Sequence, residues 1–188
     1  ARETTARSII ESTGAVMIHP YNDERIIAGQ GTAALEFLED VPDLDFLLAP
    51  VSGGGLLSGT AIAAKSVRPS IRVVGCEPQN ADDAYRSMRS GRIEPLEHAD
   101  TMADGLRASL CPLTFAILQE RVDEIALVSE EEIVTAMREV WERMKLIIEP
   151  SSAVAVAPAL LRRVHAEGKK IGIILSGGNV DLAHLPFS

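Results

Sequence analysis

Two apolar runs that each stop at a Ser-Gly-Gly sequence constrain this 188-residue chain more than any other feature. Leu44–Ala49 leads into Pro50-Val51-Ser52-Gly53-Gly54-Gly55, and Ile171–Leu175 into Ser176-Gly177-Gly178-Asn179. A short apolar run bounded by turn residues fits a strand buried on both faces, as in a parallel sheet covered by helices. Ile71–Cys76 and Glu124–Val128 supply two further strand candidates. Helical spacing covers Thr32–Leu38, Leu56–Lys65, Asn80–Arg89, Leu113–Glu120, Ser129–Lys145 and Ser151–His165, with Gly168 marking the end of the last. Ser129 followed by Glu130, Glu131 and Glu132 is a capping box with acid in the first turn. Strands alternating with helices predict an α/β fold with a largely parallel sheet, in which ligands sit beyond the carboxyl ends of strands. No internal repeat or low-complexity segment interrupts the pattern.

Composition removes several function classes. The formal net charge is −9, and the aromatics are one Trp, two Tyr and four Phe. Such a chain is poorly suited to binding polyanions or stacking bases. The longest strongly apolar run, Ala153–Leu161, is broken by Pro158 and too short for a bilayer. No basic segment followed by an apolar one opens the chain, so no signal peptide is expected. Cys76 and Cys111 form neither a disulfide framework nor a zinc pattern, and His19, His98, His165 and His184 are scattered. The expectation is a cytoplasmic protein with neither nucleic-acid nor membrane partners.

Ser52-Gly53-Gly54-Gly55-Leu56 lies between a buried strand and a helix N-terminus. Successive glycines let backbone N–H groups converge, and the helix end favours an anion. A tight turn with no ligand is the alternative. The loop is no P-loop, because Leu56-Leu57-Ser58 supplies no lysine. Gly29-Gln30-Gly31-Thr32-Ala33-Ala34 matches the dinucleotide form G-x-G-x-x-A, but no convincing strand precedes it. Pro50 stands where a ribose-binding acid belongs, with Asp45 the nearest acid. A nicotinamide-dependent oxidoreductase is therefore a distant reading. In the second loop, Ser176 offers a hydroxyl that could meet a heterocyclic nitrogen, or it closes an ordinary turn.

The motifs gain meaning in combination. Ile18-His19-Pro20-Tyr21, Ala28-Gly29-Gln30-Gly31-Thr32, Ser52 through Leu56, Cys76-Glu77-Pro78, Ala103-Asp104-Gly105, Trp141 through Pro150 and Ser176-Gly177-Gly178-Asn179 occur in this order. Together they resemble the second half of the β-family (fold type II) pyridoxal-phosphate enzymes, in the branch of serine racemases and catabolic threonine/serine dehydratases. The resemblance covers essentially the whole chain. It implies the three-layer large domain of that fold, a mostly parallel sheet flanked by helices, in incomplete form. Residues 1–14 would end the small-domain helix, and 15–188 would be the C-terminal part of the large pyridoxal-phosphate-binding domain. Gly53, Gly54, Gly55 and Leu56 would bind the cofactor phosphate through backbone N–H groups, and Ser176 would hydrogen-bond the pyridine nitrogen. A hydroxyl does not hold that nitrogen protonated as a carboxylate would, so the ring is a weaker electron sink, which suits β-elimination. Glu149 matches a glutamate near the ring, and Gly105 a backbone position lining the same cavity; a helix-end charge and a turn glycine are the respective alternatives. On this reading Gly29-x-Gly31 is a helix-entry turn.

The resemblance also implies a structural Mg²⁺ or Ca²⁺ at Glu77, Ala81 and Asp83. From spacing alone these residues read as helix capping and solvated acids. Lys145 and Asn179 match positions that help bind a nucleotide activator in animal serine racemases. The implied parent is a homodimeric ammonia-lyase or racemase acting on serine or threonine, with water eliminated to give a 2-oxo acid and ammonia. Its Schiff-base lysine lies in an upstream Ser-x-Lys-x-Arg segment. None of Lys65, Lys145, Lys169 or Lys170 has that context. All four read as ordinary surface or helix-end cations, so no catalytic residue is assigned and the chain alone is expected to be inactive. A non-catalytic phosphate-binding or interaction module derived from such an enzyme is the alternative.

Overall fold

The computed structural model describes residues 2–187. Four parallel strands, β1 (Phe46–Pro50), β2 (Arg72–Pro78), β3 (Glu124–Val128) and β4 (Ile171–Ile173), form one sheet in the order β3-β2-β1-β4. Phe46 is in register with Arg72 on one side and Ile171 on the other, and Val74 with Glu124. Alternate residues of the strands feed two cores. Leu47, Ala49 and Val73 face α2 (Glu24–Asp40), α3 (Gly55–Val67) and α5 (Pro112–Arg121). Phe46, Leu48, Val74 and Cys76 face α6 (Glu130–Glu139) and α7 (Pro150–Leu160). The remaining helices are α1 (Arg2–Thr13) and α4 (Asp83–Ser90). The result is the expected three-layer α/β arrangement, because each strand is apolar on both faces.

Winding proceeds from β1 to β2 to β3 in one direction, and β4 then returns to the other side of β1. Order therefore reverses between β1 and β4, and their carboxyl ends carry the two glycine loops. That is where an open parallel sheet leaves a crevice for a ligand.

Several boundaries differ from the sequence expectation, each for a local reason. β1 starts at Phe46 because Asp45 turns its carboxylate to the Lys170 N–H at 3.0 Å. α2 starts at Glu24, eight residues before Thr32, because Asp23 caps it by accepting the Arg25 N–H at 2.9 Å. Gly29 and Gly31 thus lie inside α2 and form no helix-entry turn. A Cβ on Gly31 would stand 2.9 Å from the Gly59 carbonyl oxygen, and one on Gly59 would stand 2.6 Å from the Gly31 nitrogen. The glycines let α2 and α3 cross backbone to backbone, which explains the G-x-G without a nucleotide. The segment expected to be helical from Asn80 is a 3-10 turn (Gln79–Ala81), with α4 following it. α6 gives way to a π-helical turn (Val140–Met144), ended by Lys145 in the left-handed region at φ +59°. α7 stops at Leu160, short of His165, and Arg162 follows at φ +55°. Among the described residues no helix is long and apolar enough to cross a membrane.

Candidate cofactor site

Past Pro50 the chain turns sharply through Ser52 at φ +52° and Gly54 at φ +86°. The Gly54 N–H closes onto the Val51 carbonyl at 3.0 Å, and the Ser58 N–H onto that of Gly54 at 2.8 Å. α3 then begins at Gly55, and first-turn N–H groups such as those of Gly55 and Leu56 have no acceptor inside a helix. These donors and the positive helix end make one wall of a cavity suited to an anion. The wall is tightly built. A Cβ on Gly53 would lie 2.5 Å from the Tyr21 ring, and one on Gly55 would lie 2.8 Å from the Tyr21 Cβ. Tyr21 is held there by His19, whose Nδ1 accepts the Asn22 N–H at 2.8 Å and whose ring meets the Tyr21 ring edge-on at 4.6 Å.

The opposite wall belongs to α7. Glu149 sits at its N-cap and clamps the second glycine loop. Its N–H donates to the Gly177 carbonyl at 3.1 Å, and its Oε2 accepts the Asn179 N–H at 3.1 Å. A Cβ on Gly177 would reach 2.6 Å from the Glu149 carboxylate. The approach to Glu149 is fixed by Trp141, whose Nε1–H donates to the Ile148 carbonyl at 2.9 Å. Two residues beyond Glu149, in the first turn of α7, the Ser151 hydroxyl accepts the Gly105 N–H at 3.0 Å.

Between the walls lies a cavity of about 300 Å³, lined by all seven residues singled out for a cofactor: Gly53, Gly54, Gly55, Leu56, Gly105, Glu149 and Ser176. Its size is at the lower end of small-molecule sites. The sequence reading assigned no role to Pro20, Tyr21, Gln30, Ser52, Leu106 or Ser151, which line it too. Pro20, Tyr21, Gln30 and Ser52 stand within the motifs that carry the resemblance, and Leu106 and Ser151 each directly follow one. Among the described residues larger crevices lie elsewhere, and the two that reach furthest into the fold are an apolar one of about 510 Å³ between α2, α3 and α5 and one of about 450 Å³ beyond the end of α7. Neither combines glycine-loop donors with strand ends.

Among the described residues no lysine lines the 300 Å³ cavity. Lys145 donates to the Glu142 carbonyl at 2.7 Å, and Lys169 and Lys170 pair with Asp45 and Asp43. Lys65 stands in the last turn of α3, a helix-end cation as expected, but not a solvated one. Its ammonium is largely buried and bonds the Ile71 carbonyl at 2.6 Å and the Asp123 carboxylate at 2.8 Å, which ties the end of α3 to the turn before β3.

Glu77 and Asp83 form a second polar centre at the end of β2. Both are 1% exposed, so they are not the solvated acids that spacing alone predicted. The capping part of that reading holds, since the Glu77 carboxylate accepts the Ala84 N–H at 3.1 Å and the Tyr85 N–H at 2.9 Å. Burial, with the nearby Asp83 and Asp82 charges adding to it, pushes Glu77 up to about 8 against its two N–H bonds. Burial likewise pushes Asp83 up to about 6, opposed by the Leu110 N–H. Ala81 is buried in the 3-10 turn between them. Among the described residues, no group of three or more His, Cys, Asp or Glu is placed to hold a metal ion.

Comparison with known proteins places this architecture. Residues 1–177 match the family model described as pyridoxal-phosphate dependent enzyme. Serine racemase of Arabidopsis thaliana is 48% identical over 190 residues, which is 98% of this chain and 57% of that protein. The solved structure of maize serine racemase superposes with a TM-score of 0.93 at 46% identity, covering 97% of this chain and 57% of the maize chain. The solved structure of a T.th. threonine deaminase does so with a TM-score of 0.90 at 45% identity, covering 96% of this chain and 62% of the other. The chain thus spans a little over half the length of these relatives. With the family model matching nearly the whole sequence, and with glycine loops facing each other across the sheet's switch point, the chain belongs to the pyridoxal-phosphate dependent enzymes of fold type II.

Proposed function

We propose that the chain is the C-terminal portion of a threonine/serine dehydratase or serine racemase, holding most of its cofactor site. The carrying observation is the single cavity that gathers all seven expected cofactor residues at the β1/β4 switch point. In this reading the Gly53, Gly54, Gly55 and Leu56 N–H groups hold the phosphate, and Ser176 donates to the pyridine nitrogen. Glu149 keeps the Ser176–Asn179 loop against α7, and Gly105 lines the ring's wall. Pyridoxal phosphate, when bound, supplies the electron sink for a proton-abstraction or β-elimination reaction at an amino acid. The names of the relatives support serine or threonine as the substrate class.

The lysine such chemistry requires lies outside this sequence in our reading, and the chain alone is inactive. What supports this is that no lysine lines the cavity and each of the four is engaged elsewhere. Residues 1–14 would then belong to the small domain and 15–188 to the large one. Glu77, the Ala81 carbonyl and Asp83 would hold a divalent cation. The fit rests on two carboxylates brought together and buried to 1% exposure, beside the buried Ala81, at the end of β2; burial pushes both up, and a bound cation would offset that.

The test is an absorbance and mass-spectrometric titration of the chain with pyridoxal phosphate, followed by borohydride. The expected result is saturable binding, competed by inorganic phosphate, with no specific covalent adduct after reduction. A specific adduct at one lysine contradicts the missing-lysine reading, and the absence of saturable binding contradicts the cofactor site.

A further inference from the structure

The α7 wall holds one side chain that the glycine motifs leave without a role. Ser151 is 3% exposed, lies in the first turn of α7 and lines the cavity. Its Oγ accepts the Gly105 N–H at 3.0 Å across 46 residues of sequence, and a Cβ on Gly105 would stand 2.9 Å from that oxygen. Gly105 belongs to a single 3-10 turn, Asp104–Leu106, within an otherwise irregular stretch. Other bonds hold the flanks of that stretch. The Met102 N–H donates to Glu130 Oε2 at 2.8 Å, and the Ala108 N–H to Ser52 Oγ at 3.4 Å. The bond from Ser151 is the one that reaches Gly105 itself, at the cavity surface. Beside the turn's own Asp104 N–H to Met102 and Leu106 N–H to Ala103 bonds, this buried hydroxyl in the first turn of α7 is what ties Gly105 to the cavity wall.

The two walls divide a ligand between them. Backbone donors at the α3 N-terminus suit the anionic end. The α7 wall, built from Gly105, Glu149, Ser151 and Ser176, receives the remainder. On the reading of this cavity as a pyridoxal-phosphate site, we infer that Ser151 is a positioning residue for the cofactor ring, acting through Gly105. It sets the surface the ring lies against and leaves phosphate capture to the glycine loop. Such an arrangement improves binding by preorganisation, since the turn need not be ordered when the ligand arrives.

The experiment titrates the 188-residue chain and its Ser151→Ala, Ser151→Thr and Gly105→Ala variants with pyridoxal phosphate and, separately, with inorganic phosphate. Equilibrium dialysis gives affinity, and induced circular dichroism of the bound ring reports its orientation. Ser151→Ala is expected to weaken pyridoxal phosphate roughly tenfold, the loss of about one hydrogen bond, and to change the dichroism. Phosphate affinity stays as in the wild type. Ser151→Thr, which keeps the hydroxyl, restores most of the binding. Gly105→Ala, which presses a methyl against that hydroxyl, gives the same ring-specific loss. Unchanged pyridoxal-phosphate binding and dichroism in Ser151→Ala and Gly105→Ala overturn the inference alone. So does a parallel loss of phosphate binding, which marks a general structural role. A wild-type chain that takes up neither probe refutes the cofactor reading, and the inference falls with it.

Discussion

The least yielding contact at the cradle is between Gly55 and the turn carrying Tyr21, and Gly55→Ala tests whether that approach is required. A new Cβ would sit 2.8 Å from Tyr21 Cβ, 3.0 Å from Tyr21 Cα and 3.4 Å from the Pro20 carbonyl oxygen. No rotamer change relieves these contacts, because two of the three atoms are backbone and the third is a Cβ. The whole His19–Asn22 turn must move, although His19 Nδ1 holds it through the Asn22 N–H. Overpacking of this kind costs about 1–3 kcal/mol. Gly55 opens α3, where alanine gains little of its helix-interior advantage, so the expected net loss stays about 1–3 kcal/mol. For a domain of this size each kcal/mol lowers Tm by about 2–4 °C, which gives a fall of roughly 2–12 °C. Gly29→Ala is the matched control. It lies inside α2 with nothing within 4 Å of a new Cβ, and is expected to gain about 0.5–1 kcal/mol. Thermal melts of the two variants beside the wild type provide the assay. A Gly55→Ala protein as stable as the wild type, with phosphate affinity intact, would refute the claim that this approach shapes the cradle.

Three further outcomes follow from the same geometry. Gly59→Ala pushes α3 off α2 at the Ile27 carbonyl and the Gly31 nitrogen, and should lower Tm more than Gly55→Ala because every opposing atom is backbone. In EDTA, stability should fall as pH rises from about 4.5 to about 8. The folded state keeps Glu77 protonated up to about 8 whereas the unfolded chain releases that proton near its ordinary value of about 4.3, so the folded form holds more protons in that window. The slope reaches about 1.4 kcal/mol per pH unit at most, is flattened by Glu77→Gln, and Ca²⁺ or Mg²⁺ at pH 8 should raise Tm only with Glu77 present. A wild-type Tm that climbs over this window contradicts the assignment. Lys65→Met strands a half-buried Asp123 carboxylate that still accepts the Val73 N–H, and should destabilise by about 1–3 kcal/mol in urea unfolding.

What the sequence disclosed and what it hid divide along physical lines. Features written in adjacent residues were legible. β3 runs Glu124–Val128 as expected, and Ser129 forms its capping box, accepting the Glu132 N–H at 3.3 Å while its own N–H donates to Glu132 at 2.9 Å. The glycine loops and the strands they end were equally plain, whereas the reversal of strand order between β1 and β4, which sets those loops side by side, is a long-range pairing that adjacent residues do not encode. Features that depend on distant partners were not. Gly31 reads as a nucleotide or turn glycine until Gly59 is seen against it, and Lys65 reads as an ordinary helix-end cation until Asp123 closes over it. Ser151 reads as helix filler until Gly105 arrives from 46 residues away. The early end of α7 was masked by apolar residues that continue helical spacing past Pro158, although Arg162 leaves the helix with positive φ.

The most direct test of the central claim is amide-resolved NMR of the chain during titration with pyridoxal phosphate. The account predicts saturable shifts at the Gly53, Gly54, Gly55 and Leu56 amides and at Gly105, with inorganic phosphate reproducing the first set and sparing Gly105. Shifts confined to the apolar crevice between α2, α3 and α5, with the glycine-loop amides unmoved, would contradict it.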